Sequence, residues 1–349
     1  MSVSGGLIRL AESGWLPDAA IRAGIRRLLR RRLRDETEHQ DARRRALLRA
    51  LRDGPVAPRP ELANAQHYEV PAAFFRAVLG PRLKYSACYW PPTVTDLAAA
   101  ERAMLELYAA RTGLEDGMRI LDLGCGWGAF ALWAARRYPS SRVLAVSNST
   151  AQRTFIEARA REAGLDNLDA RTADVNDWMP AERFDRVVCV EMFEHMRNYQ
   201  ALLDRIAGWL APGGRLFVHL FCHRSLMYRF ESAGSDNWMG HLFFSEGLMP
   251  ARDTLAQFQG RLRLERQWML DGRHYRKTVR AWLGNLDADP AAATAALAGG
   301  GAAGAGVQLQ RWRIFFMACE ELFGFAGGTE WQVGHYLLAP ERAGSGDGV

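Results

Sequence analysis

Hydrophobic and polar positions follow different periods in different parts of this chain. Ile21, Ile25, Leu28, Leu29 and Leu33 recur at helical spacing, with arginines on the other faces. Helices are therefore expected through residue 60, ending in the turn-rich Asp53-Gly-Pro-Val-Ala-Pro-Arg-Pro60. A mixed segment, 61–116, carries His67-Tyr68 and the run Tyr85-Ser-Ala-Cys-Tyr-Trp90. From residue 117, short apolar runs alternate with helical stretches. Strands are expected at 119–123, 142–147, 184–190 and 215–219, with helices at 129–138 and 149–163 between the first of them. Continuous apolar strands separated by helices predict an α/β fold, a parallel sheet covered on both faces. Beyond residue 221 the regularity fades, and 261–270 and 331–338 are expected as the closing strands. Residues 291–306, rich in Ala and Gly without charge, read as a flexible loop. Four parts follow: a helical arm, 1–60; a covering segment, 61–116; a core, 117–220; and a cap with closing strands, 221–349.

The charge is uneven. Residues 22–52 hold twelve arginines against Asp35, Glu36, Glu38 and Asp41, a balance of +8 within a chain total of +6. The remainder is −2, so the body offers phosphates no attraction, and no nucleic-acid partner is expected. The arm is expected to pack as an amphipathic helix with solvated arginines; docking on an anionic membrane surface is the alternative, and pairing with a second copy stays open. Cys88, Cys125, Cys189, Cys222 and Cys319 form no C-x-x-C pair. That disfavours disulfides and a metal site and suits a reducing, cytoplasmic setting. No apolar run reaches eighteen residues, and the N-terminus lacks the layout of a secretory signal.

The sharpest local signal is Leu121-Asp-Leu-Gly-Cys-Gly-Trp-Gly128, where a strand enters a glycine turn and a helix follows. Glycines there allow tight turning and close approach of a ligand, and the free N–H groups of the helix start favour a carboxylate. The spacing G-x-G-x-G departs from the dinucleotide fingerprint, which argues against NAD. At the end of the second strand, Asn148, Ser149 and Gln152 supply neutral hydrogen-bonding groups where a ribose-binding acid is usual. Asp174, between the strands at 142–147 and 184–190, is placed to accept from an adenine amino group; a turn or N-cap aspartate is the structural alternative. Glu191, Glu194 and His195 follow the strand at 184–190 directly, where ligands bind in open α/β sheets. A helical continuation would put Glu191 and His195 on one face.

These motifs resemble the cyclopropane fatty-acid synthase superfamily of methyltransferases. Within it the closer likeness is to the plant coclaurine and related phenylalkylamine N-methyltransferases. It rests on Val190-Glu-Met-Phe-Glu-His-Met-Arg-Asn-Tyr199, Leu216-Phe-Val-His-Leu-Phe-Cys-His223, Phe243-Phe-Ser-Glu-Gly-Leu-Met-Pro250, Gly272-Arg-His-Tyr-Arg-Lys-Thr278 and Gly328-Thr-Glu-Trp331. The resemblance implies the class I methyltransferase version of the doubly wound sheet, with S-adenosylmethionine as cofactor. It implies cofactor contacts from Tyr85, Ser86, Asp122, Gly124, Cys125, Gly126, Gly128, Asn148, Ser149, Gln152, Asp174 and Val175. It puts acid-base chemistry on Glu191, Glu194 and His195, and implies a small aromatic amine as substrate.

An alkylamine with a pKa of ~10.4 is neutral in about one molecule per thousand at pH 7, so freeing its lone pair costs on the order of 4 kcal/mol. A carboxylate–imidazole pair answers that need. The runner-up is methyl transfer to an unsaturated phospholipid chain, for which the family uses bound bicarbonate; Glu194, His219 and Tyr275 match that pocket, but the family's cysteine is Ala87, with Cys88 displaced by one. Cys319 is expected to be structural. Trp238, Phe244, Phe325 and Trp331 are candidates, with His219 and Tyr275, for the substrate wall. A non-catalytic cofactor-binding protein is a third reading, disfavoured by the intact Glu/His cluster.

Overall fold

The computed structural model describes residues 3–58, 70–231, 237–245, 247–258, 260–298 and 304–341. The alternation beyond residue 117 becomes a seven-stranded sheet. Its strands are β1 (Arg119–Leu123), β2 (Arg142–Ser147), β3 (Leu168–Thr172), β4 (Phe184–Val190), β5 (Leu210–His223), β8 (Leu262–Asp271) and β9 (Trp331–Pro340), in the order β3-β2-β1-β4-β5-β9-β8. β6 (Tyr228–Arg229) and β7 (Leu248–Met249) form a separate two-stranded ladder. β1 to β5 pair in parallel, and β9 runs antiparallel to both β5 and β8. The order reverses between β1 and β4, which opens a crevice at their carboxyl ends. This is a doubly wound, mostly parallel sheet, as expected.

Side chains of successive strand residues enter opposite layers. Ile120, Val188 and Phe217 join one core with Phe74, Tyr108 and Trp312, while Leu121, Val187, Leu216 and Val218 join the other with Leu202 and Trp209. The outer strand β8 exposes Arg263, Glu265 and Arg266, charges that discourage pairing with another chain.

Around the sheet lie α1 (Val3–Glu12), α2 (Asp18–Glu38), α3 (Gln40–Ala50), α4 (Ala72–Val78), α5 (Leu97–Thr112), α6 (Ala129–Arg137), α7 (Thr150–Glu162) and α8 (Tyr199–Trp209). The cap adds α9 (Trp238–Leu242), α10 (Arg273–Ala288), α11 (Pro290–Leu297) and α12 (Ala305–Gly324). The basic arm is packed on the body: Ile21 is buried, and Ile25, Leu29 and Leu33 lie against the core. Leu28, assigned to the same stripe, is instead 45% exposed. Arg22 bonds Glu320 at 2.8 Å and Glu321 at 3.1 Å, and Arg44 bonds Asp253 at 2.7 Å, whereas Arg27, Arg30 and Arg34 face solvent. No helix among the described residues is long and apolar enough to cross a membrane.

The loop expected at 291–306 is corrected in its first half. α11 is a helix because Asp289 caps it, accepting from Ala292 N at 3.0 Å, Pro290 occupies its first turn, and alanine has the highest helix propensity. Residues 299–303 and the His67-Tyr68 pair lie outside the described residues.

Candidate active site

Each parallel strand delivers a loop to the crevice. After β1, Gly124, Gly126 and Gly128 all take left-handed backbone angles, with φ of +79°, +52° and +80°. A Cβ on Gly124 would meet Met192 Cγ at 2.8 Å, and one on Gly128 would meet Ile156 Cγ1 at 2.7 Å. A Cβ on Gly126 would meet nothing within 4 Å, so the backbone there borders open space. Asp122 is buried behind the loop, bonded to the Ala131 backbone in α6, and burial pushes its carboxyl up to about 7.

A solvent-open cleft enclosing about 900 Å³ occupies the crevice. Of the residues expected to hold a cofactor, Gly124, Gly126, Asn148, Gln152, Asp174 and Val175 line it. Asp122, Cys125, Gly128 and Ser149 do not; they shape the turns behind it, Ser149 capping α7 by accepting from Gln152 N. Gln152 is buried; its Oε1 accepts from Ser147 Oγ at 2.6 Å, and its Nε2 has no partner among the described residues. An orphaned donor beside an open glycine backbone fits a polar, adenosine-bearing ligand. Asp174 is a turn residue, accepting from Asn176 N at 2.8 Å, and it lines the cleft. Ser86 is buried and accepts from Lys84 Nζ at 2.6 Å. Met192, Met196 and Arg197 also line the cleft; they lie within the 190–199 motif but were not singled out there as cofactor contacts.

A second, solvent-open pocket of about 750 Å³, open solvent included, shares Glu191 and His195 with the first and is almost wholly apolar and aromatic. Tyr85 belongs to this cavity, with Phe244 and Tyr275 as expected. Three other candidates are corrected. Trp238 donates to Glu12 at 2.8 Å, Trp331 is fully buried and donates to Tyr228 at 2.9 Å, and Phe325 packs on Trp331 at 5.5 Å; none lines either cavity. The wall comes instead from α10, through Tyr275, Val279 and Trp282, and from α12, through Phe315, Phe316, Cys319 and Phe323. Both sets recur at helical spacing, a signal present in the sequence but indistinguishable there from an ordinary core stripe. Cys319, expected to be purely structural, is part of this wall.

Glu191 and His195 line both cavities. They are not on one helical face as expected: Glu191 has φ of +49°, and a single 3-10 turn, Phe193–His195, follows it. A non-glycine residue in that region is uncommon, and here the turn brings the carboxylate back beneath β5. Glu191 Oε1 accepts from Ala87 N at 3.0 Å and faces His219 Nε2 at 3.1 Å; Oε2 accepts from Tyr275 Oη at 2.7 Å. His219 therefore supports Glu191 and lines neither cavity. His219 and Tyr275, matched above to a bicarbonate pocket with Glu194, converge on a carboxylate belonging to the chain itself. Burial raises the pKa of Glu191, opposed by the Ala87 N–H, the charge of Lys84 and the Tyr275 hydroxyl.

Glu194 is fully buried and lines neither cavity. Its Oε1 accepts from Phe221 N at 2.8 Å, and burial with the neighbouring Glu191 raises its pKa strongly. His195 packs its ring 4.8 Å from Phe244. No group of three or more His, Cys, Asp or Glu suited to a metal exists among the described residues.

The sheet, the glycine loop and the paired cavities define a class I, S-adenosylmethionine-dependent methyltransferase. The chain belongs to the mycolic acid cyclopropane synthetase family, which it matches over residues 58–329. It is 37% identical to the (S)-coclaurine N-methyltransferase of Thalictrum flavum subsp. glaucum, over 95% of this chain and 94% of that one. The Papaver somniferum enzyme of the same name is 35% identical, over 95% and 97% of the two chains. A crystal structure of coclaurine N-methyltransferase bound to N-methylheliamine and SAH superposes with a TM-score of 0.91 at 34% identity, covering 96% of this chain and 99% of that one.

Proposed function

We propose that the enzyme methylates the nitrogen of a small aromatic amine, with Glu191 accepting the ammonium proton. The observation that carries this reading is that Glu191 and His195 alone line both cavities among the described residues. In the first cleft Gly124, Gly126, Asn148, Gln152, Asp174 and Val175 would hold S-adenosylmethionine, which supplies an electrophilic methyl group. The second cavity would hold the amine.

A carboxylate oxygen has about two acceptor sites. Oε1 of Glu191 spends both on Ala87 and His219, whereas Oε2 spends one on Tyr275. The remaining site on Oε2 receives the ammonium N–H. A buried carboxylate with a raised pKa is better matched to an amine than a solvated one. His195 borders the amine as well, its ring against Phe244. Glu194 bonds the backbone of Phe221, whose ring borders the amine. Phe221, Phe230 and Phe244 give the cation aromatic faces until the proton leaves.

Incubation with S-adenosylmethionine and a panel of phenethylamines and tetrahydroisoquinolines should yield products heavier by one methyl group. No such gain across the panel, with gain on monounsaturated phospholipid, would overturn the reading. Cys319→Trp, which fills the second cavity, should lower kcat/KM for the best amine on the order of 10²-fold. Calorimetric affinity for S-adenosylmethionine should stay within about twofold, since the two cavities share only Glu191 and His195.

A further inference from the structure

Arg111 lines neither cavity, yet it ends a continuous polar chain that reaches Glu191. Its guanidinium meets His335 Nδ1; His335 Nε2 lies 2.9 Å from His219 Nδ1; and His219 Nε2 lies 3.1 Å from Glu191 Oε1. The antiparallel register pairs His335 of β9 with His219 of β5, and both imidazoles are fully buried. Burial pulls Arg111 down to about 10, which leaves it cationic at neutral pH.

The bond directions follow from the inventory of donors. A guanidinium has donors only, so His335 Nδ1 accepts. A neutral imidazole then carries its proton on Nε2, and that N–H donates to His219 Nδ1. His219 in turn carries its proton on Nε2, facing the carboxylate. Both rings stay neutral, because burial and the nearby Lys84 and Arg111 charges hold their pKa values well below the ordinary histidine range. The Tyr108 hydroxyl is 2.8 Å from the same His219 Nδ1 and also meets Ser86, so it adds no requirement for a proton on that nitrogen.

We propose that Arg111 and His335 are positioning residues that lock His219 in the tautomer donating to Glu191 Oε1. The opposite tautomer would aim a lone pair at the carboxylate, an arrangement tolerated only when Glu191 is protonated and unable to take a proton. This inference rests on the reading of Glu191 as base. The Lys84 charge and the Tyr275 hydroxyl also act on Glu191, and the Glu191 charge in turn adds to burial in raising the pKa of Cys88, Tyr108, Glu194, Tyr275 and Cys319; the variants below leave all of these groups in place.

The first test is nitrogen-15 NMR of the full-length enzyme labelled at histidine, with signals assigned by His219→Gln and His335→Gln. Both imidazoles should be neutral with the proton on Nε2 from pH 6 to 8. A proton on Nδ1 of either ring, or titration within that range, overturns the proposal. The second test is the pH profile of kcat/KM. Arg111→Met, which has no donor, should move the acidic limb up by about one unit, a tenfold loss at its foot. Arg111→Gln, which keeps an amide donor but loses the guanidinium stacked 5.0 Å over Trp268, should keep the wild-type limb. Equal profiles for both variants mean that Arg111 acts through its charge or its packing and not through a donor to His335, and the proposal fails. Failure of the base reading itself would show separately, as unchanged turnover in Glu191→Ala with the tautomers intact.

Discussion

Glu191→Ala should lose about 10²- to 10⁴-fold in turnover while retaining its affinity for S-adenosylmethionine. The loss follows from the position of the carboxylate where the two cavities meet, and from the proton that an alkylammonium must surrender before nitrogen can attack. The same variant leaves Ala87 N–H, His219 Nε2–H and Tyr275 Oη–H facing a vacated, buried space. Each orphaned donor costs about 1–3 kcal/mol, so the melting temperature should fall as well. Formate offers the missing oxygens to these three donors, and added formate should restore part of both turnover and thermal stability. Unchanged turnover would remove Glu191 from the chemistry. Turnover lost together with cofactor binding would assign it to the architecture of the first cleft.

Gly126→Val should abolish useful cofactor binding without unfolding the protein. A non-glycine residue at φ of +52° costs about 1–2 kcal/mol, more when β-branched, and the side chain would project into the open cleft. A loss of on the order of 10²-fold or more in affinity, read by calorimetry, is the expected result. The melting temperature without ligand should fall only a few degrees, because the new Cβ meets no protein atom within 4 Å. Gly128→Val is the contrasting control: its Cβ would collide with Ile156 at 2.7 Å, and the fold itself should suffer. Normal binding in Gly126→Val would mean that the ligand lies elsewhere.

The cofactor side of the site was more legible in the sequence than the substrate side. Gly124, Gly126, Asn148, Gln152, Asp174 and Val175 sit at strand ends, and strand ends can be read from apolar runs interrupted by glycine or polar residues. The amine side is built from helix faces. Phe315, Phe316, Cys319 and Phe323 look like any core stripe until α12 is seen to line the second cavity. Trp331 and Trp238 were misassigned for the converse reason, since a large aromatic is equally at home in a core. Glu194, grouped with Glu191 by its place after β4 and by the family resemblance, lies in the 3-10 turn and lines neither cavity.

By itself, the sequence determined the parallel strands, the loops at their carboxyl ends and the glycine turn. These depend on short-range period and on backbone angles that only glycine adopts easily, all of them local properties. The tertiary structure alone decided the partners of Glu191: Ala87, His219 and Tyr275 lie 104, 28 and 84 residues away along the chain. The direction of those bonds depends on still more distant groups, Arg111 and His335, 224 residues apart. No local pattern encodes such pairings, because proton positions in a buried network are set by every donor the fold brings to it.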